Sequence, residues 1–228
     1  MLYNEEAVRD NSRNREGKRV FYLKKGDQFT SAARDWLSRE RVEILPAEAA
    51  RKDRYRLIQG GYLEEKPEHM THLNGEVLVS KIHPRIRFRG KLDSLEAELL
   101  LCQLAAEPLA APVGEILALV RRILRCDVLE EPLPPEPLRG LTQQQIRLHS
   151  HFPQDYYGQP HFMPSAADGP VVARLNKARC CAREAEISAV EAFLDREGNP
   201  TRTDILQAMN RISSMLYILL VRCKADRR

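Results

Sequence analysis

The polar residues best suited to chemistry lie in a helical stretch in the last third of the chain. Arg179, Arg183 and Glu186 are spaced i, i+4 and i+7, so they share one side of a helix. Two arginines one turn apart can clamp phosphate oxygens, and the carboxylate can orient one of them. The flanking residues are small enough to allow close approach: Ala178, Ala182, Ala185 and Ala189. An ordinary solvated face of arginine and glutamate is the alternative interpretation.

A second polar group interrupts the apolar sequence ILQAMNRISSMLYILL near the end of the chain. Asn210 and Arg211 are there either exposed or directed into a shared polar pocket. In an earlier helix, Asp93 could hold Arg179 in position from a neighbouring helix. An exposed pair of Arg89 with Asp93, one turn apart, is the alternative and would contribute little stability.

Basic residues alternate with apolar ones just before that earlier helix. The basic members are Lys81, His83, Arg85, Arg87, Arg89 and Lys91. Basic groups beside a helix start suit a polyphosphate, because helix N-termini also favour anions, and Lys81 and Arg85 are the candidates for this role. A nucleic-acid patch is the alternative, but the cluster is short and little else on the chain continues it, so we expect no nucleic-acid partner.

Composition limits the classes of protein that the chain can belong to. It has 228 residues, with 36 basic and 32 acidic side chains and a net charge of +4, which is too weakly basic for a dedicated nucleic-acid binder. No apolar run approaches the roughly 18 residues of a membrane span, and the charged first twenty residues do not resemble a secretory signal. Five cysteines without CxxC spacing, and no zinc or di-iron ligand pattern, indicate reduced thiols in the cytoplasm and no bound metal.

The elements that must position these residues are mostly helices. We predict an up-and-down bundle of about five helices over residues 66–228, with a small N-terminal α/β appendage over residues 1–65. In the appendage, strands are expected at 19–23, 42–45 and 55–58, with a helix from Thr30 or Ser31 to Leu37. From about Thr71 the pattern becomes helical, and helices are expected at 90–107, 113–129, 142–148, 170–196 and from Asn199-Pro200 onward. A loop should occupy 149–164.

Three segments, in order, carry a family resemblance. They are THLNGEVLVSKIHPRIRFRGKLDSLEAEL at 71–99, HFMPSAADGPVVARLNKARCCAREAE at 161–186, and DILQAMNRISSMLYILL at 204–220. They resemble, respectively, the family patterns TSL…K..PR……G.LDEL, F.LP……LH.AR…RRAER and LNRLSD.LF.LAR. The chain is thus similar to the ATP:cob(I)alamin adenosyltransferases, and the sequences of these segments most resemble their ethanolamine-utilisation type. The resemblance implies transfer of the adenosyl group of ATP to reduced cobalamin, with Mg²⁺ as cofactor.

The resemblance also implies roles for residues that contact the nucleotide. Lys81 matches the triphosphate-binding lysine of the family, and Thr71 matches a threonine of its ATP loop. Arg183 and Glu186 match the first arginine and the glutamate of RRAER, which hold the nucleotide. Asn210 matches the asparagine of the last helix that contacts ATP.

Three further residues match positions beside the nucleotide. Asp93 and Arg179 match a salt-bridge pair between subunits, and Phe162 matches an aromatic residue that helps remove the lower ligand from cobalt. The implied assembly is a homo-oligomer, with a trimer expected and a dimer as the alternative. The implied partners are a cob(II)alamin reductase and ethanolamine ammonia-lyase, in the cytoplasm or within a bacterial microcompartment.

The sequence departs from the family pattern at several places. EKPEHM replaces the glycine-rich loop before the first segment, RRAER has become REAEI, and Ser214 replaces the aspartate of LNRLSD. Because no cysteine precedes Cys102, we predict a member that is independent of the cysteine-ligated metal cluster found in some relatives. Two alternatives therefore stay open: a non-catalytic corrinoid or ATP carrier or sensor of the same fold, and an adenosyltransferase that serves another pathway such as diol degradation.

Overall fold

The computed structural model describes residues 1–15, 17–49 and 55–226. The chain divides into two compact units, Met1–His83 and Pro84–Arg228. The first contains a mixed β-sheet and the second is helical, which confirms the predicted fold class. The predicted domain boundary between residues 65 and 66 stays a prediction. None of the described helices is long and apolar enough to cross a membrane.

The first unit is built from short strands and two helices. The helices are α1 (Glu5–Asn11) and α2 (Ser31–Arg39). The strands are β1 (Leu2–Tyr3), β2 (Arg13–Arg15), β3 (Lys18–Leu23), β4 (Gln28–Phe29), β5 (Glu43–Pro46), β6 (Tyr55–Leu57), β7 (Tyr62–Leu63), β8 (Met70–Asn74) and β9 (Val77–Ser80). β1 pairs with β4, and the others form one sheet in the order β5-β3-β2-β7-β6-β9-β8. The strands predicted at 19–23, 42–45 and 55–58 are confirmed within one residue as β3, β5 and β6.

The hairpin of β8 and β9 corrects the prediction that the chain becomes helical at Thr71. Thr71 pairs with Val79 across an antiparallel ladder, and Asn74 pairs with Val77 around a two-residue turn. The turn contains Gly75 at φ +43°, a backbone angle that glycine adopts without the strain a side chain would add. An Asn-Gly pair between apolar runs is a strong hairpin signal, and it outweighs the helical spacing of the following leucines.

The second unit is a bundle of antiparallel helices. Its helices are α3 (Pro84–Ala105), α4 (Glu107–Leu129), α5 (Gln143–His151), the short α6 (Pro153–Tyr157), α7 (Gly169–Phe193) and α8 (Thr203–Ala225). α3 packs on α4 and α7, α7 also packs on α8, and α5 packs on α8. Ion pairs of Lys91 with Glu184 and of Arg87 with Glu191 run in opposite chain directions, so α3 and α7 are antiparallel.

Three helix starts differ from the sequence prediction, each near a proline, and the first is that of α3, which begins at Pro84 rather than at residue 90. α4 begins at Glu107 rather than near Val113, because Pro108 lies in its first turn, where no backbone donor is needed, and Pro112 lies only one turn further. α8 begins at Thr203 rather than at Pro200. Asn199 lies instead in a turn, where its backbone N–H donates to the Asp195 carboxylate at 2.7 Å. The loop expected at 149–164 also contains α6.

The bundle core is formed by the apolar stripes that the sequence predicts. Leu92, Leu95, Leu99 and Cys102 of α3 are buried, and so is the predicted stripe of α8: Ile205, Met209, Ile212, Leu216 and Leu219. Four alanines of α7 are also fully buried: Ala178, Ala182, Ala185 and Ala189. These small side chains therefore let the neighbouring helices approach α7 closely.

A buried carboxylate joins α3 to α4. Asp127 is fully buried, and its two oxygens accept hydrogen bonds from the Nε atoms of Arg85 at 2.8 Å and Arg89 at 2.6 Å. Arg85 also donates to the Asp127 carbonyl oxygen at 2.6 Å and to the exposed Glu130 carboxylate at 3.0 Å. Arg89 therefore forms its ion pair with Asp127 and not with Asp93, which was the alternative in the sequence analysis. An acidic residue within the apolar stripe of α4 was the sequence signal for this contact.

We expect Asp127→Asn to lower the free energy of unfolding by about 3–5 kcal/mol, because two mostly buried guanidinium groups would lose their shared counter-ion. Urea denaturation followed by circular dichroism measures the change. Glu130→Gln is the matched control, since it removes only an exposed partner of Arg85 and should cost less than about 1 kcal/mol. Equal effects of the two variants would contradict the stabilising role of Asp127.

Candidate active site

The contact between α7 and α8 brings together two of the predicted site residues. Asn210 Nδ2 donates a hydrogen bond to Glu186 Oε1 at 2.7 Å, and both side chains are half-buried. The apolar stripes that bury α7 against α8 set this register. The contact leaves further hydrogen-bond acceptors on both side chains: the remaining lone pairs of the Glu186 carboxylate and the side-chain oxygen of Asn210.

The two arginines of α7 differ in their surroundings. Arg183 is exposed and makes no ion pair or hydrogen bond with any residue that the structure describes. Arg179 is half-buried, and its guanidinium donates two hydrogen bonds to Asn176 Oδ1, at 3.2 and 3.0 Å. Asp93 is exposed and likewise has no ion-pair partner in the described chain. The structure therefore does not pair Asp93 with Arg179 within one subunit, and it leaves Arg183 available to an anion.

Arg211, next to Asn210, has a different environment. It is half-buried and lines a cavity of about 210 Å³ together with Leu133, Ile146 and Asp204. Its buried Nε has no hydrogen-bond partner among the described residues. Burial is the main cause that lowers the pKa of Arg211, with the nearby charge of Arg147 acting in the same direction. Neither Asn210 nor Arg211 is fully exposed, but Asn210 does not line this cavity, so the two residues do not share this pocket.

Phe162 lies in the loop between α6 and α7, and its ring packs against the bundle core. The ring is half-buried, and the Lys224 ammonium lies 5.5 Å from its centroid. Lys224 forms an ion pair with the buried carboxylate of Asp168. Asp168 also accepts hydrogen bonds from the Ser165 backbone N–H at 2.7 Å and hydroxyl at 3.0 Å. The ion pair of Asp168 with Lys224 therefore lies on one side of the Phe162 ring. No sequence motif indicated this contact.

An aromatic cluster lies on α5 and α6, just before this loop. His149 Nδ1 is 2.8 Å from the Tyr157 hydroxyl, and the His149 ring stacks on Tyr156 at 3.7 Å between centroids. Burial lowers the pKa of His149 and raises the pKa of Tyr157. The cluster is thus neutral near pH 7 and offers an apolar, partly hydrogen-bonded surface.

The remaining predicted residues have other surroundings. Lys81 follows β9 and is exposed, and its backbone N–H donates to the His69 carbonyl oxygen at 2.9 Å. Thr71 is half-buried in β8. Arg85 is shared between Asp127 and Glu130 and so holds α3 to α4. No group of three or more His, Cys, Asp or Glu side chains within the described residues could hold a metal ion.

Residues 61–223 match the sequence profile of the family described as "Cobalamin adenosyltransferase". The chain belongs to this family. The matched region includes all nine predicted site residues: Thr71, Lys81, Arg85, Asp93, Phe162, Arg179, Arg183, Glu186 and Asn210.

Relatives of known name point in the same direction. The corrinoid adenosyltransferase EutT of Escherichia coli (strain K12) is 37% identical over 158 residues, and that of Salmonella typhimurium (strain LT2) is 36% identical. Each match covers 69% of this chain but only 59% of the relative. The chain thus spans about three fifths of the length of these relatives.

Solved structures share the fold of the family. A variant PduO-type ATP:corrinoid adenosyltransferase from Lactobacillus reuteri, complexed with cobalamin and ATP, has a TM-score of 0.53 at 20% identity and covers 70% of this chain and 89% of that one. A second variant of the same enzyme, also complexed with cobalamin and ATP, has a TM-score of 0.52 at 19% identity and covers 70% and 91% of the two chains. At this level of identity, the likeness shows a common fold.

The contacts of Asp168 predict a pH dependence of stability. Hydrogen bonds from Lys224 and from Ser165 lower the pKa of Asp168 to about 2. The ionised carboxylate therefore stabilises the fold above its unfolded pKa of about 4, and this contribution is lost as pH falls from about 4 to about 2. Asp168→Asn should melt at a lower temperature than the wild type at pH 6, and the difference should shrink toward pH 2 in thermal denaturation.

Asp155→Asn is the matched control, because Asp155 is an exposed carboxylate whose side chain bonds no described residue. It should leave the melting temperature nearly unchanged across this range. A difference between wild type and Asp168→Asn that is constant with pH would contradict the assigned ion pair.

Proposed function

We propose that the protein transfers the 5′-deoxyadenosyl group of ATP to cob(I)alamin, releasing triphosphate and forming adenosylcobalamin. The observation that carries the proposal is the hydrogen bond of Asn210 to Glu186, with the exposed Arg183 one turn before Glu186 on α7. Glu186 and Asn210 lie in two separate family segments, yet they meet at one contact between helices, and Arg183 precedes Glu186 by three residues on α7. Membership of the family and the names of the relatives support the same activity.

The chemistry needs few reactive side chains. Cob(I)alamin is itself a strong nucleophile, so its cobalt supplies the electron pair that forms the bond to the 5′ carbon. The bond from that carbon to the triphosphate oxygen breaks, and its electrons leave with the triphosphate. The protein then has to orient the ribose and stabilise charge on the leaving group. Asn210 and Glu186 would hold the nucleoside, and Arg183 would bind the triphosphate.

Lys81 is the second proposed triphosphate ligand, and Thr71 the proposed contact of the ATP loop. Lys81 is exposed and its side chain bonds no residue in the described part of the chain, which suits a group that waits for an anion. Arg85, by contrast, already shares its guanidinium between two carboxylates. We therefore rank Arg85 below Lys81 and Arg183 as a ligand of the nucleotide.

Mg²⁺ would enter with the nucleotide. The described residues offer no cluster of three or more ligating side chains, which a protein-only site would need. Mg²⁺ ordinarily binds through substrate phosphates with one or two carboxylates and retained waters, so the present side chains fit a metal carried by the triphosphate. When bound, the ion would neutralise part of the phosphate charge.

Phe162 would act on the other substrate. Reduction of Co(II) to Co(I) becomes easier when cobalt loses its axial ligand, and an apolar ring on that face excludes both ligand and water. Phe162 is fixed at the core with only part of its ring exposed, while Tyr157 and Met163 lie near it in sequence. We propose that this ring faces the lower side of the corrin.

The proposed assembly is a homo-oligomer, with a trimer expected and a dimer as the alternative. Asp93 is exposed and lacks a partner within the described subunit, so we propose that it pairs with Arg179 of another subunit beside the nucleotide. Ethanolamine ammonia-lyase is the proposed acceptor of the product, as the resemblance to the ethanolamine-utilisation type implies. A cob(II)alamin reductase and a cytoplasmic or microcompartment location complete the proposal.

We expect Arg183→Ala and Lys81→Ala to lower kcat by about 10²–10³-fold, because each removes a cation from the leaving triphosphate. The assay mixes chemically reduced cobalamin, ATP and Mg²⁺ with the protein and follows formation of the cobalt–carbon bond by visible absorption. Arg125→Ala is the matched control, since Arg125 is an exposed arginine of α4 paired with Glu131, and it should retain wild-type activity. Wild-type protein that binds cobalamin or ATP without turnover would identify a carrier instead of an enzyme.

Phe162→Ala should separate the two stages of the reaction. We expect it to slow adenosylation that starts from cob(II)alamin and a reductant by at least about tenfold, and to change transfer from pre-formed cob(I)alamin much less, because the ring acts on the axial ligand. Both rates are measured by the same absorption change. Equal losses in the two assays would refute the assigned role of Phe162.

A further inference from the structure

The loop that carries Phe162 is attached to α8 through His161, the residue directly before Phe162. His161 Nδ1 lies 2.7 Å from the Tyr217 hydroxyl oxygen, and His161 Nε2 lies 3.1 Å from the carbonyl oxygen of His151. A carbonyl oxygen only accepts hydrogen bonds, so Nε2 carries the proton. In the neutral ring Nδ1 is then an acceptor, and the Tyr217 hydroxyl donates to it. Both nitrogens of His161 are therefore engaged.

Tyr217 also lies close to the Phe162 backbone. Burial raises the pKa of Tyr217, and the nearby Phe162 backbone acts in the opposite direction. The rings of His161 and Tyr217 stack at 5.6 Å between centroids with an angle of 18° between their planes. The Tyr217 hydroxyl thus lies beside two successive residues of the loop: it donates to His161 and is close to the Phe162 backbone.

These contacts decide which residue of the loop turns inward. Met163, directly after Phe162, is 89% exposed, whereas the Phe162 ring packs on the core beneath the Lys224 ammonium. Tyr217 follows Asn210 by seven residues, close to two turns of α8, so the two side chains lie on one side of the helix. The separation along the axis is about 10 Å. The same helix face therefore reaches from the nucleotide contact to the Phe162 loop.

We propose that His161 and Tyr217 are positioning residues, which hold Phe162 at the height where its ring displaces the axial ligand of cobalt. The proposal rests on the proposed function and adds to it two residues and a hydrogen-bond path. The Tyr217 hydroxyl is the central group of this path, since it donates to His161 and lies close to the Phe162 backbone.

Tyr217→Phe tests the proposal, because it removes the hydroxyl and keeps the ring. We expect adenosylation that starts from cob(II)alamin and a reductant to slow about five- to tenfold, as for the loss of an orienting hydrogen bond. Transfer from pre-formed cob(I)alamin should stay within about twofold of the wild type. Electron paramagnetic resonance of cob(II)alamin bound with ATP should show a larger fraction with the axial nitrogen still on cobalt.

His161 gives an independent test that does not alter α8. His161→Ala should show the same split between the two assays, and His161→Asn should recover part of the loss, because its side-chain oxygen can accept from Tyr217 near the place of Nδ1. Tyr156→Phe is the matched control, since the hydroxyl of Tyr156 bonds no residue in the described ranges. It should match the wild type in both assays and in the resonance spectrum.

The outcomes distinguish this inference from the proposed function. Variants of His161 and Tyr217 that match the wild type, or that lose both activities in parallel with an unchanged axial-ligand signal, overturn the positioning role while adenosyl transfer stands. A wild-type protein that forms no cobalt–carbon bond from either oxidation state overturns the proposed function itself, and the positioning role with it.

Discussion

Close packing of α7 against its neighbours is the constraint on which the candidate site depends. One stripe of α7 consists of alanines, and each of them is fully buried. Because alanine adds only a methyl group to the backbone surface, the helices that face this stripe can approach closely, and the interior remains densely filled. The close approach fixes the register of α7 on α8, and this register places Glu186 beside Asn210. Larger residues at the stripe would separate the two helices and with them the contact.

Buried charge is the second element of the architecture. Asp127 lies at the interface of α3 and α4 with two arginines on its two oxygens, and Asp168 lies under the loop before α7 with Lys224. Both carboxylates connect segments that are distant in the chain. Each is used within the fold, whereas Arg183 and Asp93 on the exposed faces make no such pair within the described residues. The division separates charges that hold the bundle together from charges that remain for ligands or for another subunit.

The sequence predicts the bundle well because its helices carry long apolar stripes at helical spacing. The stripe of α8 from Ile205 to Leu219 is buried as expected. The resemblance implies that Glu186 and Asn210 both contact the nucleotide, and their direct contact with each other is seen only in the structure. Elements set by turn chemistry were harder to predict. The β8–β9 hairpin depends on Asn74-Gly75, and the start of α4 depends on how far a helix tolerates proline in its first turns.

Contacts between single side chains were beyond sequence reasoning. The ring of His161 reaches Tyr217 across 56 positions of chain, and the Asp168–Lys224 pair spans the same separation. No periodicity links such residues, because their proximity depends on the path of an irregular loop over α8. The role of Arg85 changed for a similar reason, since its carboxylate partner Asp127 lies 42 positions away on another helix.

The seven-residue interval between Asn210 and Tyr217 has a consequence for how this family can diverge. A helix turns by about 100° per residue, so one residue inserted within the interval would rotate Tyr217 away from the Phe162 loop and shift all later positions of the buried stripe. Surface turns, by contrast, can change length at little cost. We therefore expect the length of this part of α8 to be the same in all relatives that use it, while its side chains vary.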